Sequence, residues 1–181
     1  MASGIEREIK LRIPGAAAAR EALARLGATL QRPRQLEDNV LFDDAQSSLR
    51  RTGRSLRVRR TGERGLVTFK GPRSDSEGVK SRPEIEAEVG DPAALRAVLE
   101  AVGFRAVFRY QKQREVYRWK DAEIVVDETP IGVFVEIEGP LSAIHEAASA
   151  LGYGPSDYIR DSYADLFFAS GGRGDMVFDE R

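Results

Sequence analysis

The sequence predicts an α+β fold in which antiparallel strands curl into a β-barrel with a charged interior and helices packed outside. Three observations predict it. Strands show one apolar and one charged face, charges of like sign repeat at i and i+2 along single strands, and a strand, proline, helix, glycine phrase occurs three times. The 181 residues suffice for one domain with a substantial core, read as residues 1–170, followed by a frayed tail over 171–181.

Residues 5–13 open the chain as a strand, with Ile5, Ile9, Leu11 and Ile13 on one face and Glu6, Glu8, Lys10 and Arg12 on the other. Pro14 introduces a helix over 16–26, which Gly27 can cap. Strands are expected at 36–42, 55–61 and 66–70, separated by Gly53 and by the turn 62–65. Residues 71–81 are polar and contain proline, so a mobile loop is expected there.

The opening phrase then returns. Residues 83–89 form a strand, Asp91 and Pro92 start a helix that runs through Val102, and Gly103 ends it. A long strand over 107–119, with room for a break, turns at Lys120-Asp121 into a strand over 122–127. Residues 133–138 form the last strand, and Pro140, a helix through Leu151, and Gly152 follow. A final helix is expected over 156–169, carrying Tyr158, Ile159, Tyr163, Leu166 and Phe167.

Charged residues make up 31% of the chain, above the usual quarter or so, and the surplus must be housed somewhere. Twenty-eight basic against 29 acidic residues leave a net charge of -1, which excludes a non-specific nucleic-acid binder with a basic surface. Without cysteine there is no disulfide, thiolate metal site or cysteine nucleophile. No apolar run suggests a signal or a membrane span, so a cytoplasmic protein with no membrane partner is expected. The single histidine, His145, reads as a surface or packing residue, and the single tryptophan, Trp119, as packing.

The charges are sorted by sign. Acidic pairs are Glu6/Glu8, Glu84/Glu86 and Glu136/Glu138, with Asp127 alone on its strand; basic pairs are Lys10/Arg12, Arg57/Arg59 and Lys112/Arg114, with Lys70 ending its strand. A solvated sheet face gains from mixed signs, because like charges side by side repel. Sorting becomes tolerable if divalent cations fill the gap between carboxylates and a phosphate chain fills the gap between cations. If the sheet closes, both sets share one interior and the apolar faces meet the helices.

At Glu6-Arg7-Glu8-Ile9-Lys10 the sequence resembles the Glu-x-Glu-x-Lys signature of the CYTH superfamily, the triphosphate tunnel metalloenzymes. The likeness continues through residues 38–43, Leu56-Arg57-Val58-Arg59, residues 68–72, residues 82–86, Lys112-Gln113-Arg114, Val126-Asp127-Glu128 and residues 132–138, and so covers about residues 5 to 168. The resemblance implies an antiparallel eight-stranded tunnel barrel, dependence on Mg2+ or Mn2+, and a substrate bearing a triphosphate.

Carried over by position, it implies Glu6, Glu8, Asp127, Glu136 and Glu138 as metal ligands. It likewise implies Lys10, Arg57, Arg59, Lys70, Lys112 and Arg114 as phosphate binders, with Glu84 and Glu86 as supporting acids. Asp161-Ser162-Tyr163 resembles the family's C-terminal element, which adds Arg160 as an extra phosphate contact. Asn39-Val40-Leu41 departs from the second-strand motif, where a tyrosine often precedes the phenylalanine.

Glu8 and Lys10 are the expected catalytic residues, with either a second metal or a carboxylate such as Glu8 orienting and deprotonating the nucleophile. With water as nucleophile the expected reaction is hydrolysis of inorganic triphosphate or a nucleoside triphosphate. With the ribose 3'-hydroxyl of ATP it is the class IV adenylyl cyclase reaction, and a polyphosphate or nucleotide sensor without turnover is the third reading. The partner expected is a small-molecule triphosphate such as inorganic triphosphate or ATP, not nucleic acid, and the chain is expected to be a monomer or homodimer.

Overall fold

A computed structural model describes residues 2–76 and 78–179. In chain order the elements are β1 (Ala2–Ile13), α1 (Ala16–Leu26), β2 (Thr29–Asp44), α2 (Ser48–Arg51), β3 (Ser55–Thr61), β4 (Arg64–Lys70) and β5 (Ser74–Ser76). They continue with β6 (Val79–Val89), α3 (Pro92–Ala101), β7 (Phe104–Trp119), β8 (Ala122–Thr129), β9 (Gly132–Glu138), α4 (Leu141–Ala150) and α5 (Tyr163–Ala169). The strands hydrogen-bond in the order β1-β9-β8-β7-β2-β3-β4-β6, and β6 pairs again with β1. Eight antiparallel strands therefore close into a barrel, while β5 is a short hairpin partner of β6.

Closure turns the period-two pattern into an inside and an outside. On one flank Ile9, Leu11 and Ile13 of β1, Ile124 and Val126 of β8, and Val135 and Ile137 of β9 face outward. Against them pack Ala19 and Leu23 of α1 and Ala143, Ile144, Ala147 and Ala148 of α4. Alanines on the buried helix face permit close approach, and each large aliphatic side chain removed from water contributes about 1.5–3 kcal/mol. Gly27 (φ 75°) ends α1 in the left-handed conformation, its N–H returning to Ala24 O; Asp91 caps α3 by accepting from the N–H groups of Ala93 and Ala94.

A second cluster sits at the barrel end where β7 begins. Phe108 and Tyr110 of β7, Phe134 of β9, Tyr163 of α5 and Met176 pack together, with the Phe134 and Tyr163 rings 5.4 Å apart. His145 packs as expected, its Nδ1 lying 3.1 Å from the Tyr158 hydroxyl. Among the described residues no helix is long and apolar enough to cross a membrane.

Four expectations change. Within the segment expected to be a loop, Ser74–Ser76 pair with residues 79–81 as a hairpin, because Val79 joins the apolar core and Gly78 (φ 78°) takes the turn conformation. β2 is much longer than expected and β7 begins three residues earlier, and the two pair along their full lengths; β7 is a continuous strand, β2 bulges around Pro33, and beside Phe42 the extra residue is Val107 of β7. The final helix begins only at Tyr163, since Ser162 caps it through Asp165, and the preceding chain is extended where Ile159 bridges Lys10. The segment after Gly171 is docked through 179: Met176 is 1% exposed and exchanges backbone hydrogen bonds with Arg109 and Gln111.

Met176→Ala should therefore lower stability by about 2–5 kcal/mol in urea unfolding. A midpoint equal to wild type would mean that the segment contributes nothing to the fold.

Candidate functional site

The inward faces of the strands line a cavity of about 1350 Å³, whose lining includes both ends of β3, Ser55 and Thr61. Cations enter it from β1 (Lys10), β3 (Arg57, Arg59), β4 (Lys70), β6 (Lys80, Arg82) and β7 (Lys112, Arg114). Acids enter from β1 (Glu6, Glu8), β2 (Glu37), β6 (Glu84, Glu86), β8 (Glu123) and β9 (Glu136, Glu138). Register explains the crowding. Glu8 lies directly across from Glu138, and Glu138 across from Glu123, so three carboxylates stand side by side on β1, β9 and β8.

Within this lumen the charges pair across strands. Lys70 Nζ is 2.5 Å from Glu6 and 2.8 Å from Glu84, Lys80 is bonded to Glu8, and Lys10 is 3.3 Å from Glu136. Arg59 reaches Glu37 at 3.0 Å, and Arg114 reaches both Asp127 and Glu136 at 2.5 Å. Arg57 differs from the rest. It donates to two hydroxyls, Tyr110 Oη at 3.4 Å and Thr68 Oγ1 at 3.2 Å, and its Nε is buried without a hydrogen-bond partner.

The carboxyls separate into two groups. Burial and the Glu8 charge push Glu6 up to about 7, and burial with Glu6 and Glu8 pushes Glu138, at an open position of the wall, up to about 8. For Glu8 burial acts the same way and is the largest influence, but Lys80, Lys70 and Lys10 together overcome it and hold the group at about 2. Glu136 lies well below the usual range because Lys10, Lys112 and Arg114 overcome its burial, and Glu37 is held at about 2 against burial by Arg114, Lys112 and Arg59.

Twelve of the residues singled out from the sequence line this cavity: Glu6, Glu8, Lys10, Arg57, Arg59, Lys70, Glu84, Glu86, Lys112, Arg114, Glu136 and Glu138. Two do not. Asp127 is 0% exposed and lies behind the wall, accepting from Lys112 Nζ (3.0 Å), Arg114 Nε (2.7 Å) and Tyr163 Oη (2.7 Å). Arg160 is exposed outside the lining, its carbonyl accepting from Arg73. Lys80, Arg82, Glu37, Glu123 and Tyr110 join the wall unannounced. For Lys80 and Arg82 the signal was present, since they continue the period of Glu84 and Glu86 backward, Arg82 within the motif at 82–86 and Lys80 in the segment read as a loop.

The acids suit a hard divalent cation in kind. They are carboxylates only, and Glu6 Oε2 is buried without a hydrogen bond. As placed, no three acids among the described residues converge on one point, because lysine ammoniums stand between them.

A closed antiparallel barrel with acids and cations along its inner wall defines the class of charge-lined tunnel barrels. Comparison with known proteins identifies the lineage: the CYTH domain family matches residues 4–163, and the chain belongs to that family. It is 31% identical over 173 residues to a Methanocaldococcus jannaschii protein named "putative adenylate cyclase", covering 90% of this chain and 98% of that one. A Pyrococcus horikoshii structure is 26% identical with TM-score 0.74, covering 91% of this chain and 99% of its own. A Hippeastrum structure described as a "putative adenylyl cyclase" with a dominant triphosphatase activity is 23% identical with TM-score 0.68, covering 93% and 97%, and shares the fold.

Two outcomes separate the acids. Asp127→Asn leaves Lys112 and Arg114 undercompensated in the interior and should cost about 3–5 kcal/mol in chemical unfolding, whereas Glu138→Gln relieves repulsion and should cost nothing; equal losses would contradict the distinction. For Glu6, the folded state keeps a proton that the unfolded chain releases between pH 4.5 and about 7. The metal-free protein should thus lose stability as pH rises through that window, and Glu6→Gln should flatten the trend in thermal melts.

Proposed function

We propose that the chain is a divalent-metal-dependent triphosphatase acting on inorganic triphosphate or a nucleoside triphosphate. The observation that carries this reading is Arg57, a buried guanidinium whose Nε has no hydrogen-bond partner, in the same lumen as Glu6, whose Oε2 likewise makes no hydrogen bond. Such a wall is complementary to a metal-bridged phosphate chain and to little else.

Arg57, Arg59, Lys70, Lys112 and Arg114 bind the phosphoryl oxygens, with Lys10 between them and the acids. Glu6, Glu8, Glu136 and Glu138 would hold Mg2+ or Mn2+; when bound, such an ion supplies charge neutralisation at the phosphoryl oxygens and lowers the pKa of water. Glu8, ionised at neutral pH, orients the attacking water and takes its proton. Water oxygen bonds to the terminal phosphorus, the P–O bond to the leaving pyrophosphate breaks, and the cations receive the charge that develops there. Glu84 and Glu86 hold Lys70 and Arg59 in place. Asp127 is assigned here as the anchor of Lys112 and Arg114, because its oxygens are already bonded to them and to Tyr163.

The second reading, cyclisation of ATP to cyclic AMP and pyrophosphate, draws on the name of the M. jannaschii relative and on the apolar lining at Leu41, Leu49, Phe108 and Phe168, against which a base can rest. Incubation with Mg2+ or Mn2+ and either inorganic triphosphate or ATP separates the readings. Phosphate with pyrophosphate is expected from inorganic triphosphate; cyclic AMP from ATP would establish cyclisation, and tight binding without product a sensor. Glu8→Gln should reduce kcat by roughly a hundredfold or more with the fold retained. Arg57→Ala should raise KM by roughly tenfold or more, as expected for losing a charge-assisted hydrogen bond.

A further inference from the structure

Lysine ammoniums stand where divalent ions would have to bind. Lys80 opens β6 and is 7% exposed, and it faces Glu8 directly across the β6–β1 ladder. The row that begins with this lysine runs Lys80, Glu8, Glu138, Glu123 over four neighbouring strands, so one cation stands at the end of three carboxylates. Its Nζ is bonded to Glu8 Oε1, its one side-chain partner among the described residues.

The other lysines of the wall are held more firmly. Lys10 Nζ also donates to the Asp161 carbonyl at 2.9 Å and lies 4.4 Å from the Tyr163 ring centre, while Lys70 is shared by Glu6 and Glu84. Lys80 has one anchor on a long flexible stem, and lies next to the hairpin turned by Gly78.

We propose that Lys80 is a tethered counter-ion. It occupies Glu8 in the metal-free protein, leaves it when a divalent cation binds there, and then donates to the oxygens of the bound phosphate chain. The inference rests on the reading of Glu8 as one of the metal-holding acids. A carboxylate cannot give the same lone pairs to an ammonium and to a divalent ion, so the two compete. A displaced Lys80 adds positive charge to a lumen that already holds Arg82, Lys70 and Arg57. That charge is unfavourable until a polyanion arrives, so metal and triphosphate bind as a coupled pair, each strengthening the other.

The test reads binding and needs no turnover. Mn2+ is titrated into full-length metal-free protein and the free ion is followed by electron paramagnetic resonance. Lys80→Met should bind Mn2+ about five- to a hundredfold more tightly than wild type, because an acid loses its resident cation. Lys80→Arg, which keeps the charge, should stay within about twofold of wild type, well below that coupling range. Lys120→Met changes the net charge equally but breaks only exterior contacts, with Glu146 and the Trp119 ring, and should bind as wild type does.

Equal or weaker Mn2+ binding by a folded Lys80→Met protein overturns the proposal while leaving the acids as metal holders. Absence of Mn2+ binding in every variant overturns both. Should Lys80→Met fail to fold, the wild-type protein still decides the matter through amine labelling read by mass spectrometry. Mn2+ should raise modification of Lys80 several-fold and leave Lys10 unchanged, and an unchanged Lys80 signal contradicts its release.

Discussion

Repulsion between carboxylates that the barrel forces together is the constraint on which the rest of this structure depends. The β6–β1 and β1–β9 ladders set Glu6, Glu8, Glu136 and Glu138 at neighbouring inward positions, and Glu8 and Glu138 face each other without an intervening strand. In an open sheet such charges would be relieved by water; inside a closed one they must be neutralised from within. Lys10, Lys70 and Lys80 do this for the acids, and Glu37, Glu86 and Asp127 do it for the arginines. The balance is incomplete on both sides, with Glu6 Oε2 and Arg57 Nε buried without a hydrogen bond. In the function proposed above, that residual mismatch is what a cation and an anion together would relieve.

The outer layers keep this arrangement closed. α1 and α4 cover the apolar flank of β1, β8 and β9, so strands with a charged inner face gain their burial energy outside. At one end Tyr163 joins the two halves of the design. Its ring packs on Phe134 and lies within cation–π distance of Lys10 and Lys112, and its hydroxyl donates to Asp127, which holds Lys112 and Arg114. The C-terminal helix is thereby tied to the cations that would grip phosphate.

Much of this was legible because β-strands alternate. Glu6/Glu8, Arg57/Arg59 and Lys112/Arg114 announced their shared face through spacing alone, and the eight-strand count followed from the family resemblance. Lys80 was lost because polar residues and Pro72 made 71–81 look like a loop, while the burial of Val79 that orders it depends on helices far along the chain. Asp127 carried the right charge on the right strand, but its depth behind Lys112 and Arg114 is set by side-chain packing and not by period. The docking of Met176 depends on backbone bonds to β7, for which 171–181 shows no pattern.

Diffraction from crystals grown with Mn2+ and a non-hydrolysable triphosphate analogue tests the central claim most directly. Anomalous Mn2+ density among Glu6, Glu8, Glu136 and Glu138, with phosphoryl oxygens on Arg57, Arg59, Lys112 and Arg114, is the expected result. Both ligands bound on the outer surface of a barrel whose ion pairs are unchanged would contradict it.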